Sequence, residues 1–365
     1  MTARADDERF MSLALALGRR GLGNTWPNPA VGAVVVKDGN VIGRGWTQPG
    51  GRPHAETEAL ARAGAAARGA TLYVTLEPCS HHGKAPPCAV AVIAAGIARV
   101  VSAFEDPNPQ VAGQGHARLR AAGIAVDIGL KADDAARDND GHIRRIRDRR
   151  PHVTLKLAVS ADGKAGLGGR KPVAITGEAA NAHVHLMRAM HDAILIGIGT
   201  ALSDDPLLTC RLPGMEKRSP VRVVLDRDLR LPAGSRLAKS ARQTPVWIIA
   251  APDAAPGKRK ALEETGVEIF DSAVDARGID LAAALRLLAD KGITRLVVEG
   301  GPKVAASTLK ADFVDEVVLL RGPETLGPDA IDALENMALD ALQSRLKLSG
   351  RDKLGRDAVE FYERI

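Results

Sequence analysis

Strand-like and helix-like segments alternate along this sequence, and that alternation is the feature that most constrains its fold. Apolar residues at i, i+3, i+4 and i+7 between Phe10 and Leu17 predict a first helix. Two apolar runs on either side of Asp38-Gly39 then predict a hairpin. The next segments read in turn as helix, strand, helix, strand, helix and strand: PHAETEALARAG, TLYVTLEP, CAVAVIAAG, RVVSAFEDP, GQGHARLRAAG and IAVDIG. This order predicts an α/β layered domain, a sheet covered by helices.

The segment 131–150, KADDAARDNDGHIRRIRDRR, interrupts the alternation. It is polar and charged, and Pro151 follows it directly. The chain has 365 residues, which is long for a single domain, since domains are most often about 100–150 residues. We therefore predict two domains, residues 1–150 and residues 151–365.

The second part of the sequence starts a new series of the same kind. Its predicted strands are HVTLKLAVSADG, AILIGIGTAL, VRVVLD, PVWIIAA, RLVVEGG and DEVVLLR. Its predicted helices are EAANAHVHLMRAMH, DLAAALRLLADKG and KVAASTLKADF. A last pair of segments, KLKLSG and DAVEFYERI, predicts a C-terminal hairpin. Residues 151–365 are therefore expected to form a second α/β domain.

The composition excludes several classes of protein. Hydrophobic residues make up 45% and charged residues 26% of the chain, which is the balance of a globular protein and not of a disordered one. The longest uncharged stretch, Gly21–Val36, is shorter than the ~18 residues of a membrane span and contains two prolines. Three cysteines cannot build a disulfide framework, and MTARADDERF lacks the apolar core of a secretory signal. We expect a cytoplasmic protein with no membrane partner.

The net charge of +6 would be typical of a nucleic-acid-binding protein, but the excess is local. Residues 144–150, RRIRDRR, hold five arginines and one aspartate. Outside this segment both parts of the chain are nearly neutral. We interpret the basic character as a property of an interdomain segment, and expect no nucleic-acid partner.

The strongest chemical signal is His54-Ala55-Glu56, followed by Pro78-Cys79 and by Cys88. One histidine and two cysteines make a three-ligand zinc site with a fourth position left open for water, as catalytic zinc requires. Both ligand groups lie where a helix is predicted to begin, and a helix N-terminus favours the thiolate that zinc needs. Glu56 follows His54 by two residues, so it can face the open position as a general acid and base for zinc-bound water and a leaving amine.

This pattern is close to the H-x-E and P-C-x-x-C signature of zinc deaminases, although eight residues separate the cysteines here. Free cysteines are usually core residues, and a lone His-x-Glu is common, but the joint pattern favours the zinc deaminase. Cys210 lies far away in the second part and is interpreted as a buried structural thiol.

Several longer motifs resemble the bifunctional deaminase/reductase family of riboflavin biosynthesis. In the first part they are PNPAVGAVVVKDG, PHAE, TLEPCSHHGKAPPC and EDPNPQVAGQG, and in the second LKLAVSADGK, ILIGIGTALSDDPLLTCR and VEGGP. The resemblance implies a cytidine-deaminase-like three-layer α/β/α domain followed by a dihydrofolate-reductase-like α/β domain. It also implies zinc-dependent deamination of a phosphoribosylamino diaminopyrimidinone, and then NADPH-dependent reduction of the ribosyl group to ribityl.

Carried over by position, the resemblance makes His54, Cys79 and Cys88 the zinc ligands and Glu56 the proton shuttle. It further implies that three polar residues contact the deaminase substrate. Asn28 has an amide that can donate to and accept from a pyrimidine edge, while His81 and Lys84 suit a phosphate. The alternative for the last two residues is an exposed polar loop.

The second part lacks a GxGxxG fingerprint, so no Rossmann site is predicted. The better candidate for phosphate binding is Glu299-Gly300-Gly301-Pro302, where a predicted strand ends and a helix begins. Many strand-to-helix turns contain two glycines, so this signal alone is weak. The resemblance assigns to NADPH the residues Ala158, Ala174, Thr200, Asp204, Gly301, Pro302, Lys303, Val304, Ala305, Ala306 and Ser307.

The resemblance assigns to the reductase substrate the residues Arg188, Leu208, Arg211 and Glu299. Two arginines on one phosphate would form a bidentate contact, although a solvated surface residue is the usual fate of an arginine such as Arg188. Glu299 and Lys156 are candidates for handling a proton. The sequence departs from the family pattern at Ala174, where tryptophan is frequent, at Pro172, where serine is expected, and at Thr47, where histidine is common.

Two other functions remain open at this point. A zinc nucleoside or nucleic-acid base deaminase with an accessory α/β domain would use the same chemistry, but residues 1–150 contain few aromatic residues for base stacking. A non-catalytic binding protein would need a fourth protein ligand to close its zinc site. For the enzyme we expect a small phosphoribosyl pyrimidine substrate and a homo-oligomer.

Overall fold

The computed structural model describes residues 3–81, 86–168, 173–276 and 278–365. The chain divides into two compact units, Met1–Arg150 and Pro151–Ile365. Among the described residues, no helix combines the length and the apolar character needed to cross a membrane.

The first unit is built on one mixed sheet with strand order β2-β1-β3-β4-β5. The strands β2 and β3 pair antiparallel with β1, whereas β3, β4 and β5 are parallel to one another. The predicted hairpin at Asp38-Gly39 is confirmed, since it joins β1 to β2. The strands are β1 (Gly32–Lys37), β2 (Asn40–Trp46), β3 (Thr71–Val74), β4 (Arg99–Ser102) and β5 (Ala125–Ile128). The helices are α1 (Ala3–Gly18), α2 (Ala55–Ala63), α3 (Cys88–Ala94), α4 (Gln114–Ala121), α5 (Ala132–Asp138) and α6 (Asp140–Arg147).

Helices cover both faces of this sheet because β1 is apolar on both sides. Ala33 and Val35 point into a core shared with α2, α3 and α4. Val34 and Val36 point the other way, into a core shared with α1 and α5. Alternate residues of a strand face opposite sides of its sheet, so this arrangement gives three layers.

The segment 131–150 continues the layered structure, although its polar sequence predicted an interruption. It forms α5 and α6. Ala135 is fully buried in the core beside α1, and Asp138 accepts a hydrogen bond from Arg19 at 2.9 Å. Within α5 only Ala135 is buried, and a single small apolar residue in a polar segment gives no periodic signal in the sequence.

The second unit contains a larger sheet with strand order β11-β10-β9-β8-β14-β6-β15-β18-β17. All neighbours from β11 to β15 are parallel, whereas β18 and β17 are antiparallel to their neighbours, which confirms the predicted C-terminal hairpin. The strands of this sheet are β6 (His152–Val159), β8 (Ala193–Gly197), β9 (Val221–Leu225), β10 (Val246–Ala250), β11 (Glu268–Asp271), β14 (Arg295–Val298), β15 (Glu316–Arg321), β17 (Leu346–Leu354) and β18 (Asp357–Arg364). Two small pairs complete the strands: β7 (Lys164–Gly166) with β16 (Ile331–Asp332), and β12 (Val274–Asp275) with β13 (Gly278–Ile279).

The helices of the second unit are α7 (Glu178–Ala189), α8 (Ile198–Asp204), α9 (Arg236–Lys239), α10 (Pro256–Glu263), α11 (Leu281–Asp290) and α12 (Pro302–Lys310). Ile194 and Ile196 of β8 share a core with residues of α7, α9 and α10. The prediction of AILIGIGTAL as one strand was wrong in its second half, because the strand ends at Gly197 and α8 begins at Ile198. An apolar run by itself does not distinguish a buried strand from a strand followed by a helix.

Candidate functional site

The position of His54 in the first unit depends on how closely α2 packs against β2. His54 is the N-cap of α2, with an extended backbone. A Cβ on Gly43 would lie 2.2 Å from the carbonyl oxygen of Ala59, and one on Gly45 would lie 2.4 Å from that of Ala55. Only glycine allows the helix to lie this close to the strand. The two glycines of β2 therefore fix the start of α2, which carries His54 and Glu56.

The two cysteines approach His54 from the next helix and the loop before it. Cys88 is the first residue of α3, and its N–H donates to Cys79 Sγ at 3.2 Å. His54 Nδ1 lies 3.3 Å from Cys88 Sγ and 3.7 Å from Cys79 Sγ. Among the described residues, these three ligand atoms lie within 4.8 Å of one another. The structure thus brings together the three predicted ligands.

These distances fit a zinc ion. Zinc bonds of about 2.0–2.1 Å to nitrogen and 2.3 Å to sulfur give a nitrogen–sulfur separation of roughly 3.5 Å in a tetrahedral site. The two observed nitrogen–sulfur distances lie on either side of this value. A tetrahedral zinc ion has four ligand positions. His54, Cys79 and Cys88 fill three of them and leave the fourth open.

Electrostatics around the cysteines favour one thiolate before any metal binds. The hydrogen bond from the Cys88 thiol, with further bonds from His54 and the Cys88 N–H, lowers the pKa of Cys79 to about 4 in spite of burial. The same thiol bond, together with burial, raises the pKa of Cys88. The hydrogen bond with Cys79 raises the pKa of His54. Cys79 is therefore the residue that carries the negative charge.

Glu56 lies in the first turn of α2 and is 4% exposed. Burial raises the pKa of its carboxyl group, and the neighbouring His54 only partly opposes this effect. A buried carboxyl group with a raised pKa is suited to take up and release a proton near neutral pH. The structure therefore places the predicted proton shuttle close to the metal ligands and in a suitable environment.

The predicted substrate contacts of the first unit are only partly described. The Asn28 side-chain amide donates to the carbonyl oxygen of Gly51 at 2.7 Å, so at least one of its donors is used within the protein. His81 is exposed, as the predictions for phosphate binding and for a polar loop both require. Lys84 lies outside the described residues. Thr47 is 2% exposed, and its Oγ1 accepts the N–H of Val31 at 3.0 Å, so its hydroxyl group is used within the protein.

The sequence analysis did not single out Glu77, which is 5% exposed and lies two residues before Cys79. An acidic residue shortly after a buried strand, directly before Pro78-Cys79, was the available signal.

In the second unit, two helices begin at the same edge of the sheet. The neighbouring parallel strands β8 and β14 are followed by α8 and α12, with Gly197 and Gly301 as N-caps. The N–H of Gly301 donates to Thr200 Oγ1 at 2.9 Å, which joins the two helix starts. Cβ atoms on Gly300 and Gly301 would lie 3.0 Å from Val304 Cβ and 2.9 Å from Thr200 Oγ1. The EGGP turn is therefore a strand-to-helix turn, as predicted, and side-chain atoms of Val304 and Thr200 lie close to its glycines.

The residues predicted to bind NADPH occupy different environments around this turn. Lys303 and Val304 lie in the first turn of α12, where backbone N–H groups lack helical acceptors. Ala305 and Ala306 are buried on the inner side of α12, so only their backbone could face a ligand. The remaining residues are partly or fully exposed, namely Ala158, Ala174, Thr200, Asp204, Pro302 and Ser307. Pro172 lies outside the described residues.

Arg188 and Glu299 form a bidentate ion pair. Arg188 Nε donates to Glu299 Oε1 at 2.9 Å, and Nη2 donates to Oε2 at 2.8 Å. The side chains are 12% and 6% exposed, so Arg188 is not the solvated surface residue of the alternative interpretation. Burial opposes ionisation of Glu299, but the pair with Arg188 outweighs it and lowers the pKa of Glu299. Arg211 is exposed and does not share the pair.

Further groups from several parts of the second unit lie near the pair. Arg188 Nη1 donates to the carbonyl oxygen of Thr209 at 3.3 Å, beside Leu208, which is buried with a left-handed φ of 56°. The backbone N–H of Arg211 donates to His185 Nδ1 at 3.3 Å. Burial lowers the pKa of Lys156, and the nearby Glu299 opposes this effect. The structure thus groups Arg188, Glu299 and Lys156, all singled out from the sequence.

Comparisons with known proteins cover both units. Residues 4–104 match the family model of the cytidine and deoxycytidylate deaminase zinc-binding region, and residues 151–359 match the RibD C-terminal domain. The chain is 38% identical over 363 residues to the riboflavin biosynthesis protein RibD of Aquifex aeolicus, with 99% of each chain covered. It is 40% identical over 358 residues to RibD of Escherichia coli, covering 93% of this chain and 95% of the relative.

Two solved structures are similar over the full length. RibD of Acinetobacter baumannii has a TM-score of 0.89 and 35% identity, with 99% of each chain covered. A diaminohydroxyphosphoribosylaminopyrimidine deaminase/5-amino-6-(5-phosphoribosylamino)uracil reductase of Thermotoga maritima has a TM-score of 0.86 and 33% identity, with 100% of each chain covered. The expected fold classes, a cytidine-deaminase-like domain and a dihydrofolate-reductase-like domain, are confirmed.

Proposed function

This chain belongs to the RibD family of riboflavin biosynthesis proteins, and on that basis we propose that it catalyses two consecutive reactions. The first is the zinc-dependent hydrolytic deamination of 2,5-diamino-6-(5-phosphoribosylamino)pyrimidin-4(3H)-one. The second is the NADPH-dependent reduction of 5-amino-6-(5-phosphoribosylamino)uracil to the ribityl compound. We assign deamination to residues 1–150 and reduction to residues 151–365.

The observation that carries the proposal is the grouping of His54, Cys79 and Cys88 within 4.8 Å, next to the buried Glu56. The three ligands hold the metal, and the low pKa of Cys79 supplies a thiolate at neutral pH. When bound, zinc lowers the pKa of a coordinated water so that it can attack near neutral pH.

Glu56 handles the protons of the deamination. Its carboxylate accepts the proton that the attacking water loses and delivers it to the departing amino group, which leaves as ammonia. Burial supports this role, because it raises the pKa of Glu56 toward the pH at which both steps occur. Asn28, His81 and Lys84 are proposed to contact the pyrimidine and the phosphate.

In the second unit the hydride comes from NADPH, and the protein supplies binding and orientation. We propose that the first turn of α12 binds cofactor phosphate through the backbone N–H groups of Lys303 and Val304, since Pro302 has no N–H and that of Gly301 donates to Thr200. The remaining residues assigned to NADPH are proposed on resemblance. Thr200 supports this turn by accepting the N–H of Gly301.

Arg188, Leu208, Arg211 and Glu299 are proposed to form the reductase substrate site. The bidentate pair fixes the Glu299 carboxylate in one orientation. Lys156, whose pKa is lowered by burial, is proposed to hold or release a proton near the reacting ribose. Arg211, which is exposed, is free to turn toward a substrate phosphate.

The alternative of a nucleic-acid base deaminase accounts for the first unit only, whereas the family matches extend over both units. The homo-oligomeric assembly and cytoplasmic location remain predictions, which light scattering and cell fractionation would test. The proposed function is tested by supplying the purified protein with the diaminopyrimidine substrate and following ammonia and NADPH separately. We expect ammonia release without NADPH, and NADPH oxidation only after deamination; failure of either reaction would contradict the proposal.

A further inference from the structure

Glu77 is a buried carboxylate on the loop that carries Cys79. It follows β3 by three residues, and its backbone N–H donates to the carbonyl oxygen of Phe104 at 3.0 Å. Its side chain faces the segment 105–116, EDPNPQVAGQGH, which follows β4 and enters α4. The roles proposed above use neither Glu77 nor this segment.

Four backbone N–H groups of this one segment donate to the Glu77 carboxylate. Oε2 accepts from Asp106 at 3.0 Å and from Gly113 at 2.9 Å. Oε1 accepts from Gly115 at 2.7 Å and from His116 at 3.3 Å. A carboxylate has about four acceptor positions, so Glu77 has none left for a substrate or a metal. Its role must therefore be to hold the two segments together.

The backbone of the segment also touches the residue next to the metal ligand. A Cβ on Gly115 would lie 2.0 Å from the carbonyl oxygen of Pro78 and 3.0 Å from Glu77 Oε1. Gly113 has a φ of 75°, in the left-handed region that glycine adopts readily. These glycines let the chain bend around the carboxylate. We call the Glu77 carboxylate and the backbone of residues 105–116 the Glu77 clamp.

The Glu77 clamp holds one side of Cys79, and α3 holds the other. The N–H of Ala89 donates to the carbonyl oxygen of Cys79 at 3.1 Å, and the N–H of Cys88 donates to its Sγ at 3.2 Å. Without the clamp, the Glu77–Pro78 end of this loop would lose its side-chain contacts to residues 105–116. The sulfur of Cys79 would then keep its contacts to Cys88 and His54 but lose the support of the chain before it.

We propose that Glu77 is a positioning residue of the deaminase site, which holds Cys79 Sγ where it can share a metal with His54 and Cys88. This inference rests on the proposed zinc site. Residues that orient metal ligands through hydrogen bonds typically change metal affinity or activity by about 10- to 100-fold when they are replaced.

The test compares Glu77→Gln with Glu105→Gln in the full-length, zinc-loaded protein. Whichever way the new amide at position 77 turns, its NH₂ group faces two N–H donors that have lost their acceptor. Glu105→Gln is the matched control, because Glu105 Oε1 and Glu77 Oε2 each lie 3.9 Å from His116 Nδ1. The Glu105 side chain is 53% exposed and lies outside the clamp contacts described above.

Two measurements decide the outcome: the rate of zinc release to a chromophoric chelator, and hydrogen exchange of the peptide covering 105–116. We expect Glu77→Gln to release zinc about 10- to 100-fold faster, with faster exchange in that peptide. Glu105→Gln is expected to stay within about twofold of the wild type, since the Glu105 side chain is 53% exposed and accepts none of the hydrogen bonds of the Glu77 clamp. A merely structural role would lower the Tm of the first unit but leave zinc release unchanged well below that Tm, and this result would overturn the proposal.

Glu77→Asp covers the case in which Glu77→Gln does not fold. It keeps both carboxylate oxygens but is one methylene shorter, so it is expected to release zinc at an intermediate rate. Zinc release at the wild-type rate by folded Glu77→Asp would overturn the proposal in that case. A wild-type protein that binds no zinc would contradict the proposed function and not the role of Glu77. In that case, equal hydrogen exchange of the peptide covering 105–116 in Glu77→Gln and Glu105→Gln would still overturn the Glu77 clamp.

Discussion

The guanidinium of Arg188 and the carboxylate of Glu299 form a nearly buried bidentate pair, with nitrogen–oxygen distances of 2.9 and 2.8 Å. Arg188 lies at the end of α7, and Glu299 follows β14 directly. The pair therefore joins a helix to the strand end beside the proposed cofactor turn. Its geometry depends on the planar fork of arginine, which lysine cannot reproduce.

Arg188→Lys should damage reduction selectively. The lysine keeps the positive charge but loses the parallel hydrogen bonds to Glu299, so we expect kcat/KM for NADPH oxidation to fall at least about 10-fold, which corresponds to about 1.4 kcal/mol. Ammonia release from the diaminopyrimidine should be unchanged. Equal losses of both activities would indicate a general folding defect and contradict the selective role.

Thr200→Val should weaken NADPH binding more than turnover. The substitution removes the Oγ1 acceptor of the partly buried Gly301 N–H, at a cost of about 0.5–1.5 kcal/mol. We expect KM for NADPH to rise about 10-fold with a small change in kcat. Thr200→Ser keeps the hydroxyl group and should have the wild-type KM. An unchanged KM in Thr200→Val would contradict the claim that Thr200 supports the turn that binds NADPH.

Gly45→Ala should impair deamination through helix packing. The new Cβ would lie 2.4 Å from the backbone oxygen of Ala55, so α2 must move away from β2 and carry His54 and Glu56 with it. We expect lower zinc content and at least about a 10-fold loss of ammonia release, with reduction retained. Gly257→Ala, whose Cβ meets open space, is the control and should keep both activities. Normal zinc content in Gly45→Ala would contradict this account of the site.

The metal-free protein should have one unusually reactive cysteine. A lowered pKa means that the thiolate persists until the pH falls through the folded value, which is about 4 for Cys79. Alkylation of Cys79 by iodoacetamide should therefore be almost independent of pH between 5.5 and 8, whereas an ordinary thiol loses about 10-fold per pH unit in this range. Peptide mapping by mass spectrometry measures this rate.

Two controls accompany the measurement. Cys210, which is 2% exposed, should react slowly, and zinc should protect Cys79. A rate for Cys79 that falls with pH as for an ordinary thiol would contradict the assignment.

The sequence was sufficient for the parts of the fold and site that depend on local patterns. His54 and Cys88 lie at predicted helix starts and Cys79 lies in the loop before the second of them. The joint H-x-E and P-C pattern predicted that the three would share one zinc site. The hairpin at Asp38-Gly39 and the turn before Pro302 also depend on residues adjacent in sequence.

Contacts between distant segments could not be predicted in this way. Arg188 and Glu299 are 111 residues apart, and nothing in either local sequence indicates their pairing. The same is true of Glu77 and the backbone of residues 105–116, because backbone donors leave no trace in the identity of a side chain. The end of β8 at Gly197 was missed since the apolar pattern continues into α8.

The central claim is that the chain combines a zinc deaminase, with Glu56 as proton shuttle, and a separate reductase. Ammonia release by zinc-loaded Glu56→Gln tests this claim most directly. The glutamine keeps the size of the side chain but cannot take up and return a proton, so we predict wild-type zinc content with ammonia release reduced at least about 100-fold. Reduction of supplied 5-amino-6-(5-phosphoribosylamino)uracil by NADPH should proceed at the wild-type rate. Ammonia release at the wild-type rate by this variant would contradict the account.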